Sequence, residues 1–143
     1  MVDQTRQDEA IEALYFAYRA FTDRPDRILE RRGLGRVHHR ILYFVGRNPR
    51  ISVRGLLDIL AVSKQALNAP LRQLLEMHLV AVSPSDQDRR VKQLQLTEEG
   101  ARLETELTQT QTRLLQAAFD KAGDGATGGW QRVMAELAAA RAG

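Results

Sequence analysis

The most regular spacing of apolar and polar residues runs from Ile51 to Leu96 and predicts a helix, a turn, a second helix and a hairpin. Ser52 is expected to cap the first helix, because a serine hydroxyl accepts a hydrogen bond from an unpaired N–H of the first turn. Ala61 and Val62 form the turn, and Ser63 caps the second helix in the same way. The inward face of the first helix is predicted to hold Leu56, Leu57, Ile59 and Leu60.

The second helix is strongly amphipathic. Leucines at 67, 71, 74 and 75 fall on one face of a helix with about 3.6 residues per turn. Long or small polar side chains with few acids, of the kind that hydrogen-bond to phosphates and base edges, occupy the other face. These residues are Lys64, Gln65, Asn68, Ala69, Arg72 and Gln73.

A basic hairpin is predicted directly after this helix. Val80 to Val82 is a short apolar segment, residues 83–88 are turn-forming, and Val91 to Leu96 alternates as a strand does. A hairpin in this place is typical of a winged helix-turn-helix, so the pattern predicts a DNA-binding module.

Amphipathic helices flank the module on both sides. Residues 7–22 and Leu34–Arg47 are predicted helices, the second ended by Asn48 and Pro49, and the charged segment from Thr22 to Arg32 is a loop or a further helical turn. After the hairpin, Thr97 should cap a helix that reaches about Lys121. Four glycines then break it, at 123, 125, 128 and 129, before a last helix from Trp130 to Arg141 that buries Trp130, Val133, Met134 and Leu137.

The predicted fold class is therefore mainly α with a small β-hairpin wing. Residues 34–97 form the winged helix-turn-helix, and residues 1–33 and 98–143 supply dimerisation helices. The apolar stripe of residues 7–22 comprises Ile11, Leu14, Tyr15, Tyr18 and Phe21. Because terminal helices with such stripes need a partner, helices from the two ends are expected to pack together and across a two-fold axis in a homodimer.

The charge is concentrated where the module lies. Residues 34–97 contain ten basic and four acidic side chains, a net charge of +6, whereas residues 1–33 have a net charge of −1 and residues 98–143 of −2. A polyanion such as double-stranded DNA is the partner that this distribution favours.

Several function classes are disfavoured by composition. The chain has no cysteine, which excludes disulfides, thiol switches and cysteine-ligated metals. Its three histidines show no metal-binding spacing, and no nucleophile-plus-base pattern or glycine-rich phosphate loop is present. No metal, cofactor or enzymatic activity is expected. With no apolar run of 18 residues and a polar start, we expect a soluble cytoplasmic protein without a membrane partner.

Two motifs give a family resemblance. Asp88-Arg89-Arg90, followed by Leu96-Thr97-Glu98-Glu99-Gly100, and the turn from Leu60 to Gln65 resemble the MarR (multiple antibiotic resistance regulator) family over essentially the whole chain. The resemblance implies a homodimeric winged-helix regulator, often released from DNA by a small molecule. It implies that Lys64, Gln65, Asn68 and Arg72 enter the major groove, and that Arg90, oriented by Asp88, reaches the minor groove. The expected DNA-binding set is Ser63, Lys64, Gln65, Asn68, Arg72, Asp88, Arg89, Arg90 and Lys92.

The chain departs from the family pattern at two positions. His78 stands where the family usually has the glycine that closes the recognition helix, so it must adopt a positive φ or end the helix differently. Pro70 lies inside that helix, where it predicts a kink near residues 66–69.

A small organic acid is expected to bind between the dimer helices and the winged domain, near Tyr15, His38, His39 and Tyr43. For His38 a core histidine with a hydrogen-bond partner is the competing interpretation, and for the tyrosines core or dimer packing.

The function expected from these features is that of a sequence-specific repressor at a pseudo-palindromic operator. Three other functions compete with it: an enzyme, a winged helix used for protein–protein contact, and a nonspecific architectural DNA binder. The basic central third argues against protein–protein contact, and the side chains able to read bases, Gln65, Asn68 and Arg72, favour sequence readout.

Overall fold

The computed structural model of the chain describes residues 3–140. Its contacts divide the chain into two units, Met1–Thr110 and Gln111–Gly143, with the boundary inside a helix. The mainly helical class with a hairpin wing is confirmed. The elements in order are α1 Gln4–Glu30, α2 Arg36–Arg47, β1 Ile51–Ser52, α3 Val53–Leu60, α4 Lys64–Glu76, β2 Val80–Pro84, β3 Lys92–Leu96, α5 Glu98–Ala122 and α6 Ala126–Ala140.

The first helix is longer than predicted, because it continues through Pro25 to Glu30. Thr22, one turn before the proline, is buried and donates its hydroxyl hydrogen bond to the Tyr18 carbonyl at 2.9 Å. Pro25 and Leu29 are buried as well, so the packing of this turn outweighs the hydrogen bond that proline cannot make.

A leucine-rich core holds the first unit together. Leu29 from α1, Ile41 from α2, Leu56 from α3, Leu74 from α4 and Leu107 from α5 are all 0% exposed. Burial of such side chains is the main stabilising contribution to a fold of this size.

The helix-turn-helix forms as its caps predicted. Ser52 Oγ accepts a hydrogen bond from the Gly55 N–H at 3.0 Å, and Ala61 ends α3 in the left-handed conformation with φ of 54°. The inward face of α3 was only partly predicted. Leu56 is buried and Leu57 and Leu60 pack against the core, but Ile59 is 40% exposed on the outer side.

The sheet has three antiparallel strands in the order β1-β3-β2. The hairpin of β2 and β3 was predicted, with Val82 opposite Leu94 in the register. The two-residue β1, which pairs Ile51 with the other side of Leu94, was not predicted, because two residues are too few to show an alternation.

The end of α4 and the start of α5 share one backbone junction. His78 has a φ of +57°, the first of the two alternatives left open by the sequence, and Leu79 N–H donates to Leu74 O at 3.0 Å in a Schellman-type ending. Thr97 then donates from its hydroxyl to His78 O at 2.7 Å and from its N–H to Leu79 O at 3.1 Å. A Cβ at Gly100 would overlap the Leu79 carbonyl, so the L-T-x-x-G motif is a close backbone contact.

The first turns of α5 are also bonded to α2. Glu104 is buried and accepts from Arg47 Nη1 at 2.6 Å and from the Thr108 hydroxyl at 2.6 Å. The hydrogen bond to Glu104 raises the pKa of the Arg47 guanidinium. This pair fixes α5 against the winged helix-turn-helix at a second point.

The second unit contains the end of α5 and all of α6. Gly123 and Gly125 have positive φ and separate α5 from α6. Gly128 and Gly129 lie inside α6, so the prediction that these two glycines interrupt the helix was wrong. Phe119 packs edge-on against Trp130, with ring centroids 5.3 Å apart. The predicted burial of the α6 stripe was also wrong for a single chain: Trp130, Val133 and Leu137 are exposed and Met134 is half-buried.

The predicted end of α6 at Arg141 lies outside the described residues. Within residues 3–140, no helix combines the length and the apolar character that crossing a membrane requires.

Candidate nucleic-acid interface

Helix α4 is seated on the core by its leucines. Leu67, Leu71 and Leu74 are buried, and Ser63 caps the helix by accepting from the Ala66 N–H at 3.1 Å. The buried leucines therefore hold one face of the helix against the core. Its outer face leaves five polar or small side chains exposed, Lys64, Gln65, Asn68, Ala69 and Arg72.

Gln73 does not belong to this exposed face, although the sequence pattern placed it there. It is half-buried, its Oε1 lies 2.9 Å from His38 Nε2, and its Nε2 donates to Gly33 O at 3.2 Å. The side chain is therefore directed toward the α1–α2 turn.

Pro70 does not interrupt α4, which is continuous from Lys64 to Glu76. Proline removes the N–H that would bond to the Ala66 carbonyl. A kink near residues 66–69 stays a prediction.

The wing presents Arg90 on a turn that is stabilised by hydrogen bonds to Asp88. Asp88 Oδ1 accepts from the Arg90 N–H at 3.0 Å and from Arg90 Nε at 3.1 Å, while Oδ2 accepts from Nη2 at 3.3 Å. These bonds to Arg90 lower the pKa of the Asp88 carboxyl. The Arg90 side chain is nevertheless 91% exposed. Its guanidinium is therefore both oriented by Asp88 and accessible to solvent.

The other two wing cations are also accessible. Arg89 lies in the turn and Lys92 begins β3, and both are exposed. No acidic partner is recorded for either of them among the described residues. The geometry suits contacts to phosphates, which demand charge and reach rather than a fixed orientation.

One basic residue beside α4 was not included in the predicted DNA-binding set. Arg54, in the first turn of α3, lines a cavity of about 630 Å³ together with Val53, Leu57, Asp58, Ala61, Val62 and Lys64. The cavity lies beside the start of α4. A cation in the first turn of the helix before the recognition helix was the signal available in the sequence.

The four residues singled out for an effector differ in their availability. His38 is buried, accepts from the Gly35 N–H at Nδ1 and bonds to Gln73 through Nε2, which confirms the interpretation of a core histidine with a hydrogen-bond partner. His39 is half-buried, and burial lowers the pKa of its imidazole. Its Nε2 is buried without a hydrogen-bond partner among the described residues.

The two tyrosines lie on different helices. Tyr15 is exposed on α1 and packs edge-on against Phe16, whereas Tyr43 on α2 is half-buried beneath the Arg47 guanidinium at 4.3 Å. The nearby arginines already have partners, since Arg36 pairs with Asp26 at 3.0 Å and Arg40 donates to the Tyr18 hydroxyl at 3.1 Å. Across residues 3–140, no cluster of side chains suited to a metal ion is found.

Known proteins are similar to this chain in sequence and in fold. A sequence profile described as MarR family matches residues 32–91. The chain is 44% identical over 126 residues to the HTH-type transcriptional regulator PetP of Rhodobacter capsulatus, which covers 88% of this chain and 76% of that protein.

Two solved structures show the same fold at low identity. FabT of Streptococcus pneumoniae, in complex with DNA, has a TM-score of 0.76 and 16% identity and covers 94% of each chain. Staphylococcus aureus MarR, in complex with salicylate and kanamycin, has a TM-score of 0.75 and 22% identity, covering 94% of this chain and 91% of that one. The profile match, the identity to PetP and the seated α4 with its wing together show that this chain belongs to the MarR family of winged helix-turn-helix transcriptional regulators.

Proposed function

We propose that this transcriptional regulator is a homodimeric, sequence-specific repressor that reads its operator with α4. The observation that supports the proposal is the exposed polar face of a helix that is itself locked onto the core. Gln65, Asn68 and Arg72 have the groups needed for two-bond contacts with base edges in the major groove, and Lys64 and Ser63 suit the adjacent phosphates. Because the chain belongs to a family of transcriptional regulators, the proposed role is binding rather than catalysis, in the cytoplasm where the DNA lies.

The wing has a separate role in this proposal. Asp88 holds Arg90 in an extended, solvent-facing orientation, which suits an arginine that enters the minor groove, where width and negative potential are read. Arg89 and Lys92 contact the backbone. The wing therefore adds affinity and an A·T preference in the flanking DNA, with little discrimination between single bases.

Dimerisation is proposed from the apolar side chains that a single chain leaves in water. The exposed stripe of α1 includes Ile11, Leu14 and Tyr18, and that of α6 includes Trp130, Val133 and Leu137. Stripes of this size mark protein contacts. Residues 1–33 and 98–143 are thus the proposed dimerisation regions around the DNA-binding region 34–97. A two-fold dimer predicts a pseudo-palindromic operator with half-sites about 10 bp apart or a multiple of it.

A small organic acid is the proposed effector. Staphylococcus aureus MarR was solved with salicylate, and Tyr15, His39 and Tyr43 offer aromatic and polar groups on α1 and α2 here. His38, also singled out, is not available for direct contact with an effector, because both of its ring nitrogens are hydrogen-bonded. A panel of aromatic acids that leaves DNA binding unchanged contradicts this part of the proposal.

The test of operator reading compares the binding of three variants to the operator, located by footprinting the protein's own promoter, and to a scrambled duplex. Gln65→Ala is expected to cost about 1–3 kcal/mol on the operator and to leave the scrambled duplex nearly unaffected. Arg90→Ala is expected to weaken binding to both duplexes to a similar extent and to reduce the salt dependence of the binding constant by roughly one counterion. Asp88→Ala should reproduce part of the Arg90→Ala effect, because the guanidinium loses its orienting carboxylate.

The opposite pattern identifies the competing function. If Gln65→Ala and Arg72→Ala leave base preference intact while Arg90→Ala abolishes it, α4 is not the reading helix. If the wild-type protein binds both duplexes equally at every salt concentration, it is a nonspecific DNA binder.

A further inference from the structure

Gln73 belongs to the predicted polar face of α4 but, unlike the other residues of that face, is not exposed. It follows Arg72 directly on α4, yet it is half-buried while Arg72 is exposed. Both ends of its amide are used: Oε1 meets His38 Nε2 at 2.9 Å, and Nε2 donates to Gly33 O at 3.2 Å. Gln73 thus bridges the recognition helix and a segment that lies 35 to 40 residues earlier in the chain.

The direction of each hydrogen bond in this bridge is determined. The Gly35 N–H donates to His38 Nδ1 at 2.9 Å, so that nitrogen has no proton. In a neutral imidazole the proton is then on Nε2, which donates to Gln73 Oε1. The glutamine amide is left with its NH₂ toward the Gly33 carbonyl. Turning the amide over would place two donors against each other at His38 and two acceptors against each other at Gly33.

The two backbone anchors are themselves held in place. Gly33 has a φ of +72° at the end of α1, where Leu34 N–H donates to Leu29 O at 2.9 Å. Gly35 is the N-cap residue of α2. The bridge therefore attaches α4 to the turn that joins α1 and α2, not to a free loop.

The leucine face and the bridge constrain α4 in different ways. Burial of Leu67, Leu71 and Leu74 keeps the helix on the core, but the hydrophobic effect has no direction and resists small rotations about the helix axis weakly. Two hydrogen bonds from one side chain do have direction. A rotation of α4 about its axis would move Arg72 and Asn68 across the groove and stretch both bonds of Gln73.

We propose that Gln73, held by His38, is a positioning residue that sets the rotation of α4 and therefore the alignment of Asn68 and Arg72 with base edges. This inference rests on the proposed function, because it assumes that α4 reads the operator. It also gives the end of α1 a direct connection to the reading helix. A displacement of the α1–α2 turn would change operator affinity without touching any DNA-contacting side chain.

The test removes the bridge and leaves the reading residues in place. Gln73→Met keeps the length of the side chain and loses both hydrogen bonds. Operator affinity is expected to fall between about 2- and 30-fold, the range found for substitutions that act through a network. Affinity for a scrambled duplex should stay within error, since phosphate contacts tolerate small changes of helix rotation. Gln95→Met on β3 is the matched control, because it makes the same change at an exposed glutamine outside the dimerisation regions and outside the expected DNA-binding set.

A second pair of variants separates positioning from folding. His38→Gln places glutamine at the third position of α2, where it can still accept from the Gly35 N–H, so the start of α2 is preserved. If the bridge acts as a unit, the double variant of His38→Gln with Gln73→Met loses no more operator affinity than the more severe single variant. Additive losses overturn the inference.

The outcomes also separate this inference from the proposed function. A wild-type protein without operator preference refutes the function itself. Operator preference that Gln73→Met leaves at the wild-type level refutes only the positioning role. Equal losses of affinity for operator and scrambled DNA in Gln73→Met, with an unchanged control, also refute it. A rotation of α4 should misalign the base contacts and therefore weaken operator binding more than binding to scrambled DNA.

Discussion

Helices α4 and α1 have the same kind of amphipathic sequence and opposite surroundings. In α4, Leu67 is 1% and Leu74 is 0% exposed, whereas in α1, Ile11 is 68% and Leu14 is 52% exposed. Periodicity indicates that a face will be covered. Periodicity does not show whether that face packs against the same chain or against another molecule.

The difference lies within α1 as well as between the helices. From Thr22 onward its inner residues are buried on the core, while Ile11 to Tyr18 remain open. One helix thus belongs to the fold at its C-terminal end and extends beyond it at its N-terminal end. This arrangement suits a helix that joins the proposed dimer contact to the DNA-binding region.

The largest expected effect tests this contrast directly. Leu74→Ala should lower the free energy of unfolding by about 2–5 kcal/mol, because it leaves a cavity in the core. The loss should be the same at every protein concentration. Thermal or urea unfolding at several concentrations measures it.

Leu14→Ala is the matched control. Its loss should shrink on dilution, because the substitution weakens association, and wild type and variant approach the same stability as their dimers dissociate. Light scattering of the wild type should report about twice 16.1 kDa. If both leucine variants show the same dependence on concentration, the α1 stripe is not a dimer contact.

A second prediction concerns the junction between α4 and α5. Gly100→Ala should lower stability by about 3 kcal/mol, because the added Cβ overlaps the Leu79 carbonyl and the two helices must separate. Gly128→Ala in α6 meets no atom within 4 Å and should raise helix stability by about 0.5–1 kcal/mol. Equal effects of the two alanines on unfolding would show that the backbone contact is not close.

A smaller gain is expected at the end of α4. His78 is held at a φ of +57°, which costs an L-residue about 1 kcal/mol or more, so His78→Gly should raise stability by about 1 kcal/mol at most. Glu76→Gly, in the right-handed last turn of α4, should lower it by about 1 kcal/mol. A loss in His78→Gly would show that the imidazole makes a stabilising contact.

The last prediction concerns how the free energy of unfolding depends on pH. Burial lowers the pKa of His39 in the folded chain, so the unfolded chain binds more protons once the pH falls below the ordinary value of about 6.5. The stability present at pH 7 should therefore decrease as the pH falls below about 6.5. His39→Gln should flatten this decrease in urea titrations. An identical slope in wild type and variant contradicts the assignment, because the other histidines are common to both.

Much of the helix-turn-helix was predictable because its signals are local. Ser52 and Ser63 cap the helices that follow them, and Thr97 begins α5. The positive φ of His78 was one of two alternatives that its place at the end of the recognition helix left open. Each of these features depends on backbone groups a few residues away.

The same reasoning failed where a local rule met distant packing. Pro25 indicated a possible interruption, yet α1 continues because that turn is buried. Gly128 and Gly129 looked like breakers, yet α6 includes them. Ile59 matched the inward spacing of α3 and is exposed, since no neighbouring element covers that side of the helix in the described chain.

The sequence by itself determined the helix boundaries near their caps, the apolar faces, the basic central third and the wing motif. Hydrogen bonds between residues three or four apart and the periods of helix and strand suffice for these. Tertiary structure decided that Gln73 turns from the groove to His38 and Gly33, and that Gly100 meets the Leu79 carbonyl. Such contacts join residues far apart in the chain, and their geometry exists only after the leucine core has brought the helices together.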